Sequence, residues 1–498
     1  MIVPTFRSRA ARDPHPAQAD TRPRGSIGDG AGGPSACPPA VSSGLEEASV
    51  NDQKAQPGDD GRLSRRGFVG MGAAIAGGAL LSPLAAAGVP SGAAEAAVPK
   101  NVKADLVLST WDIAADLVTY AKFAAAYKKT HPGVNIKIQK TPGGDFNQWF
   151  TTQLSGGSAP DIVRVTWQSF GRYAENGGLI DLSKWVPARY GKGFQKSFWQ
   201  ASLLDGKPHA IPQHTDTFAT YYRKDVFAAI GEQPPASIGQ AWSLSEFHDL
   251  LVKVKKQTGK YGMVYGFGGP NTAYRWLPFL YMMGGRLLDN DLKKPMINTK
   301  KGIAALDWFQ GLYNDGLIPK SNTIKASNDA STLNSFTTGQ VGVMLYGDWL
   351  MGDVGKGLDQ SKWDVTYMPK GKKAASDLGG NLLGVSKSSK HPDVAADFIK
   401  FVCNQANMEY FCENDLFLPI RTALDADSLH FRSNNDQMKT FVEQVATIPT
   451  NMAKIETSPQ FNQINEVLAD QLDLCFIGTQ TPKETAKNIS DGISRVVG

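Results

Sequence analysis

Three places in the chain put a tryptophan beside a carboxyl or amide side chain, each directly after a short apolar run. The pairs are Trp111 with Asp112, Trp167 with Gln168, and Asp348 with Trp349. An indole face stacks on apolar C–H surface, and a carboxylate or amide can hydrogen-bond two neighbouring hydroxyl groups. Together these groups suit a ring with an apolar face and a rim of hydroxyls, which describes a sugar.

Such pairs act together only if the strands before them end at one place. The apolar runs 105–110, 134–139 and 161–165 predict three strands, and helical spacing of apolar residues predicts helices over 113–129 and 146–154. This β-α-β-α-β order predicts a parallel sheet covered by helices on both faces. Ligands of such sheets bind beyond the carboxyl ends of the strands, where the pairs stand.

Later segments continue the alternation of strands and helices. The apolar run 341–346 predicts a further strand, and 393–402 predicts a helix with Pro392 near its first turn. Thr481, Pro482 and Glu484 form the pattern of a capping box and predict the start of the last helix. We expect four other tryptophans to be core residues on helices: Trp149, Trp199, Trp242 and Trp308.

The chain contains no GxSxG, HExxH or CxxC motif, and its seven histidines are scattered. Glycine pairs at 143–144, 268–269 and 379–380 lack the GxGxxG or GxxxxGK setting of a phosphate loop and predict turns. We therefore expect no catalytic residues, no metal and no cofactor.

The segment 64–70 (SRRGFVG) opens an uncharged, Ala/Gly/Leu-rich stretch that runs to Ala94. Paired Arg65 and Arg66 before a weakly apolar region with Ala-x-Ala sites resemble a bacterial twin-arginine export leader. Pro83 and Pro90 and the many small residues disfavour a membrane-spanning helix. We expect 1–96 to be an extension plus signal peptide outside the fold, and the mature protein to be exported.

The charge, length and cysteine content of the chain bear on its binding partners, its number of domains and its disulfides. The chain carries 52 basic and 47 acidic residues, a net charge of +5, with no basic stripe, so nucleic acid is not an expected partner. Roughly 400 residues remain after the leader, which predicts two domains. Cys403, Cys412 and Cys475 leave at least one free thiol in a monomer. Cys412 could form a disulfide with either Cys403 or Cys475, and the sequence does not decide between the two pairings.

A series of segments behind the leader resembles family 1 of the bacterial extracellular solute-binding proteins, the sugar receptors of ABC importers. The similarity covers nearly all of 104–498. In order, the segments are 159–163 (APDIV), 177–182 (GGLIDL), 206–212 (GKPHAIP), 221–227 (YYRKDVF), 336–344 (FTTGQVGVM), 379–381 (GGN) before a strand, the helix at 395–402, and 418–421 (LPIR).

The resemblance implies an α/β fold of the type II periplasmic binding protein class, with parallel or mixed sheets flanked by helices and a ligand cleft between two lobes. It places lobe 1 at 100–212 and 384–418 and lobe 2 at 216–378 and 422–498. Hinge crossings then fall near 211–216, 378–384 and 418–421. Family members commonly contact ligand at positions that correspond here to Asp216, Asn271, Trp276, Gly380, Asn381 and Arg421.

The implied function is capture of a neutral saccharide, a di- or oligosaccharide rather than a monosaccharide, by a monomer that closes its lobes and delivers the sugar to an ABC permease. One alternative is an exported polysaccharide-cleaving enzyme in which Asp112 and Asp216 flank a glycosidic bond. Another is a receptor of the same fold for a polyamine, iron or phosphorylated glycerol. A cofactor-loaded redox protein is disfavoured because the cysteines lack cluster or haem spacing.

Overall fold

The computed structural model describes residues 98–498 apart from 112 and 142–145. All of these residues belong to one compact unit that spans 88–498. Arg65 and Arg66 of the predicted leader, and Asp112 of the first tryptophan pair, lie outside the described residues.

Strands form where apolar residues alternate or run together. In the first strand Ala104, Leu106 and Leu108 are buried while Asp105 between them is exposed, so one face of the strand packs on the core. The described strands are β1 (Ala104–Thr110), β2 (Val134–Lys140), β3 (Ile162–Thr166), β4 (Leu203–Leu204), β5 (Lys207–Pro208), β6 (Ala210–Asp216), β7 (Phe218–Arg223), β8 (Met263–Tyr265), β9 (Val343–Gly347), β10 (Trp363–Thr366) and β11 (Gly379–Val385).

The first sheet has the strand order β2-β1-β3-β11-β6. β1 pairs parallel with β2 and β3, whereas β11 pairs antiparallel with both β3 and β6. β1, β3 and β6 therefore end at the same edge of the sheet, and β11 begins there. All seven residues of β6 and of β11 are buried.

The second sheet has the order β10-β7-β9-β8. β7 pairs antiparallel with β9 and β10, and β8 pairs parallel with β9. The carboxyl ends of β8, β9 and β10 consequently share an edge with the start of β7. A single residue, Thr217, separates the end of β6 from the start of β7, so this edge adjoins the corresponding edge of the first sheet.

Helices connect the strands and cover the sheets. They are α1 (Ala114–Thr130), α2 (Phe146–Ser155), α3 (Trp167–Glu175), α4 (Lys196–Ala201), α5 (Lys224–Ile230), α6 (Leu244–Thr258), α7 (Leu277–Met282), α8 (Lys300–Asn314), α9 (Asp329–Thr337), α10 (Met351–Gly357), α11 (Pro392–Val402), α12 (Gln405–Asp415), α13 (Asn435–Gln444), α14 (Thr450–Glu456), α15 (Phe461–Phe476) and α16 (Pro482–Val497). Within the described residues, no helix is both long and apolar enough to cross a bilayer.

Side chains near the first residue cap the amino ends of two helices. The predicted capping box at the last helix is confirmed, because the Thr481 side chain accepts from the Glu484 amide and the Glu484 carboxylate accepts from the Thr481 amide. Ser243 and Glu246 form the same arrangement at α6. These reciprocal bonds satisfy amides that have no partner within the helix.

Each of the four tryptophans expected in the core on helices matches that expectation in part. Trp149, Trp199 and Trp308 lie on helices and are half-buried against the core, while Trp242 is buried in the connection before α6. Neither disulfide is formed: the cysteines at 403, 412 and 475 are all free and buried.

Candidate functional site

The junction of the two sheets gathers most of the predicted site residues. Register places Asn381 opposite Thr166 at the end of β3, and Gly379 opposite Asp216 at the end of β6. On the other side of Thr217, Phe218 at the start of β7 pairs with Gly347 at the end of β9. Residues that follow β1, β3 and β9 are therefore collected around one region of the molecule.

Trp111 and Asn381 form one side of this region. Trp111 is half-buried, and its Nε1–H donates to Oδ1 of Asn381 over 3.4 Å. The Phe146 ring and the indole pack in a T-shaped arrangement with ring centroids 4.9 Å apart. The turn predicted at 379–380 is wrong, because both glycines belong to β11. Gly380 precedes Asn381 and has a φ of 98°, which suits glycine, and a Cβ there would stand 2.6 Å from the His214 carbonyl oxygen. The glycine thus lets β11 approach β6 closely and holds the amide of Asn381 beside Trp111.

Trp349 is the aromatic residue on the other side. Its half-buried ring lies 5.5 Å from the ring of Tyr346 and 5.8 Å from that of Phe218, centroid to centroid. The indole also covers the backbone of Gly347, where a Cβ would come within 1.8 Å of Cζ3 of the ring. A residue without a side chain is required at 347 for Trp349 to take this position.

Arg275 completes the aromatic group and was missed by the sequence analysis. Its guanidinium carbon stands 4.9 Å from the centre of the Trp349 ring, within cation–π range. Nη1 donates to the carbonyl oxygens of Gly266 over 2.9 Å and Phe267 over 3.2 Å, which anchors the side chain on the loop after β8. The rule that ligands bind after strand ends could have found it, but β8 has only three residues and is hard to recognise in sequence.

Asp216 and Asp348 bring two carboxyl groups together at the junction. Both are buried, and Oδ1 of Asp348 accepts from the amide of Thr217 over 2.9 Å. Burial raises the pKa of Asp216 to about 7, against the lowering effect of the hydrogen bond with Asp348 and the charge of Arg164. Burial and then the charge of Asp216 raise the pKa of Asp348 well above its ordinary value. The pair therefore holds a proton that the two carboxyl groups share.

His214 lies next to this pair without forming an ion pair. Its Nε2 is 3.6 Å from Oδ1 of Asp216, and burial together with the positive charge of Arg164 lowers the pKa of the imidazole well below its ordinary range. The imidazole is therefore neutral at physiological pH.

Trp167, Gln168 and Trp276 are held by the protein itself. Both indoles are fully buried, and Trp167 Nε1–H donates to the His214 carbonyl oxygen over 3.3 Å. Gln168 Nε2 donates to the Leu378 carbonyl oxygen over 2.7 Å and to Oε2 of Glu456 over 2.8 Å. In this conformation the two rings present no surface to a ligand, so their role in binding remains a prediction for another state of the cleft.

The last two predicted positions are Asn271 and Arg421. Asn271 is exposed in a 3₁₀ turn, Pro270–Trp276, after β8. Arg421 donates through Nε to the Cys403 carbonyl oxygen over 3.0 Å and through Nη2 to the Tyr190 hydroxyl over 3.1 Å. Its guanidinium carbon also stands 3.8 Å from the centre of the Phe194 ring. These contacts fasten the segment after α12 to the first half of the chain, and the ligand contact predicted for Arg421 is untested.

The assembled group is an aromatic and hydrogen-bonding surface with a buried carboxyl pair behind it. Half-buried indoles at 111 and 349 offer ring faces, and the amide at 381 and the guanidinium at 275 offer polar contacts. In the described part of the chain, no three His, Cys, Asp or Glu side chains converge as a metal site would require. The chemistry available is stacking and hydroxyl recognition.

Comparison with known proteins gives a consistent result. The sequence model of the family described as bacterial extracellular solute-binding protein matches residues 110–409. The chain is 22% identical over 399 residues to the maltodextrin-binding protein MdxE of Bacillus subtilis, covering 76% of this chain and 87% of that protein. It is 26% identical over 312 residues to the lactose-binding protein of Rhizobium radiobacter, covering 59% of this chain and 69% of that one.

The fold is likewise similar to solved structures. The GacH receptor of Streptomyces glaucescens, whose structures include complexes with acarbose, superposes with a TM-score of 0.68 at 24% sequence identity. The superposition covers 80% of this chain and 99% of the receptor. The predicted two-lobe periplasmic binding fold, with mixed sheets flanked by helices, is confirmed by this similarity.

Proposed function

Because the chain belongs to the bacterial extracellular solute-binding proteins, we propose that it is the substrate-binding component of an ABC importer and binds a neutral di- or oligosaccharide. The half-exposed Trp349, at the end of β9, carries the proposal. It lies across the sheet junction from Trp111 and Asn381, so stacking surface and hydrogen-bonding groups come from both sheets. That combination suits a sugar ring better than a small ion.

We propose that binding closes two lobes, formed by 100–212 with 384–418 and by 216–378 with 422–498. The short link at Thr217 supports a hinge there, since one residue joins strands of different sheets. A second contact is the pairing of the Thr215 and Leu418 backbones, which lies at the proposed third crossing. A ligand that touches both sides would stabilise the closed form over the open one.

The proposal includes export, action as a monomer and transfer of the sugar to membrane permease subunits. It also includes binding without turnover: the two carboxyl groups are buried and hydrogen-bonded to each other, whereas the two carboxyl groups of a glycosidase stand apart on opposite sides of the scissile bond. Relatives such as the maltodextrin-binding protein are named for binding, which supports the same reading.

A thermal-shift screen over mono-, di- and oligosaccharides tests the proposal. A sugar present at about one hundred times its Kd should add about 2.7 kcal/mol to the free energy of unfolding, which is a readily measured rise in melting temperature. Calorimetry on the best sugar, followed by chromatography of the mixture, separates binding from cleavage. Failure of every saccharide to raise the melting temperature, or release of shortened glycan, would refute the proposal.

A further inference from the structure

A second concave surface lies away from the sheet junction. The groove, called here the basic groove, has a volume of about 1200 Å³ and is formed by the turn after α7, the start of α8, the loop before β11 and the segment between α13 and α14. It shares no lining residue with the candidate sugar site. Whatever it binds is therefore distinct from the ligand at the junction.

The charge of the basic groove is one-sided. Among the described residues that line it, five are cationic and none is a carboxylate: Arg286, Lys300, Lys301, Lys372 and Lys373. All five side chains are exposed. The four lysine ammonium groups form no ion pair or hydrogen bond within the described part of the chain, although the protein as a whole is nearly balanced in charge.

Two of these lysines stand where a positive charge disfavours the helix that carries them. Lys300 and Lys301 occupy the first turn of α8, which carries no acidic residue there. The amino end of a helix bears partial positive charge, so two lysines at this position are electrostatically unfavourable for the helix. A cluster that costs local stability and has no internal partner indicates a role in contact with another molecule.

The floor of the basic groove is apolar and already ordered. Tyr281, Met296, Ile448 and Pro449 add apolar surface to the lining of the groove. Tyr281 OH donates to Oδ1 of Asn451 over 2.7 Å, joining two walls.

The loop that carries the second lysine pair is also held. The Lys372 amide donates to the Met282 carbonyl oxygen over 2.8 Å, and a Cβ on Gly371 would stand 2.4 Å from the same oxygen. The close backbone contact keeps this loop against α7. The basic groove therefore needs no ligand to form.

We propose that the basic groove is a docking site for an acidic, partly apolar polypeptide segment of a partner protein. Charge complementarity selects an acidic segment, and the apolar residues that line the groove together with the lysines select a chain that carries both carboxylates and apolar side chains. A lipid bilayer presents a flat surface that touches protruding residues and leaves a concave floor unfilled. This inference is independent of which sugar, if any, the junction binds.

A labelled synthetic peptide of alternating Glu and Leu residues tests the proposal by fluorescence anisotropy. The groove variant changes Lys300, Lys301, Lys372 and Lys373 to Glu together. The matched control changes four exposed lysines outside the groove to Glu and so alters net charge equally: Lys196, Lys256, Lys260 and Lys483. We expect the groove variant to weaken peptide binding by at least about tenfold and the control by no more than about twofold.

Two further measurements complete the test. Changing the same four groove lysines to Gln provides a milder variant if the reversal fails to fold, and peptide binding should protect amides of 281–286 and 447–451 from hydrogen exchange. Absence of peptide binding, equal loss in groove and control variants, or binding to anionic phosphatidylglycerol vesicles in place of the peptide would overturn the proposal. Saccharide binding, measured separately, should be the same in all variants, so failure of the sugar proposal is recognised independently.

Discussion

Replacement of Asp216 by Asn should make the protein more tolerant of neutral and alkaline pH. Asp216 is 7% exposed, and burial raises its pKa from 3.8 to about 7, although Arg164 lowers it. The groups that face it from neighbouring elements are Asp348, Asp377, Asp116 and His214. Because the folded state holds this proton and the unfolded state releases it near pH 4, folding gains stability from it at low pH and loses that stability as pH rises toward 7.

The size of the effect follows from the pKa change. A rise of about 3 pKa units corresponds to about 4 kcal/mol, and the free energy of unfolding should fall by about 1.4 kcal/mol per pH unit across the window. Asn carries no titrating proton. We therefore expect the stability of Asp216→Asn, relative to the wild type, to improve by about 2 to 4 kcal/mol between about pH 4 and pH 8.

Urea unfolding followed by tryptophan fluorescence at several pH values provides the measurement. The control is Asp427→Asn, which removes an exposed carboxylate that is not among the groups facing Asp216. Parallel profiles for wild type and Asp216→Asn would refute the assignment of the shared proton.

Three further predictions concern the aromatic site and the fold. Trp349→Ala should weaken saccharide binding by about 1 to 3 kcal/mol in calorimetry without unfolding the protein, whereas Trp308→Ala on α8 should lower the melting temperature and leave the Kd unchanged. An unchanged Kd for Trp349→Ala would remove this ring from the site. Gly347→Ala places a methyl group where the Trp349 ring lies and should reduce affinity to a similar extent; wild-type affinity would contradict the described packing. Thr481→Ala should cost about 1 kcal/mol in urea unfolding by removing a helix cap while saccharide binding persists, and a loss of binding would contradict a purely local role.

The order of the first elements could be predicted from local patterns. β1, α1, β2, α2 and β3 appear within a residue or two of the runs that predicted them, because alternation and helical spacing are written in neighbouring residues. The cap of the last helix could also be predicted, because Thr481 and Glu484 are only three residues apart. Family resemblance added the two-lobe fold, which the match over 110–409 supports.

The exposure and the contacts of the side chains in the candidate site could not be predicted from local sequence patterns. Trp167 and Trp349 follow strands in the same way, yet Trp167 is fully buried beside Phe198 while Trp349 stays half-exposed over Gly347. The difference depends on which distant segments pack on each ring. Arg275 was missed for the same reason, since its partners on the rings of Trp349 and Tyr346 lie more than sixty residues along the chain.

The amino-acid sequence by itself determined the first three strands, the two helices between them, the cap of the last helix and the residue types able to bind a sugar, because each depends on neighbours within a few positions. Tertiary structure alone decided that β11 enters the first sheet between β3 and β6, which brings Asn381 to Trp111 across 270 residues of chain. It also decided that the carboxyl groups of Asp216 and Asp348, which are far apart in the sequence, are buried together at the junction and share a proton. Both outcomes depend on long-range packing and burial, whose energies no short stretch of sequence contains.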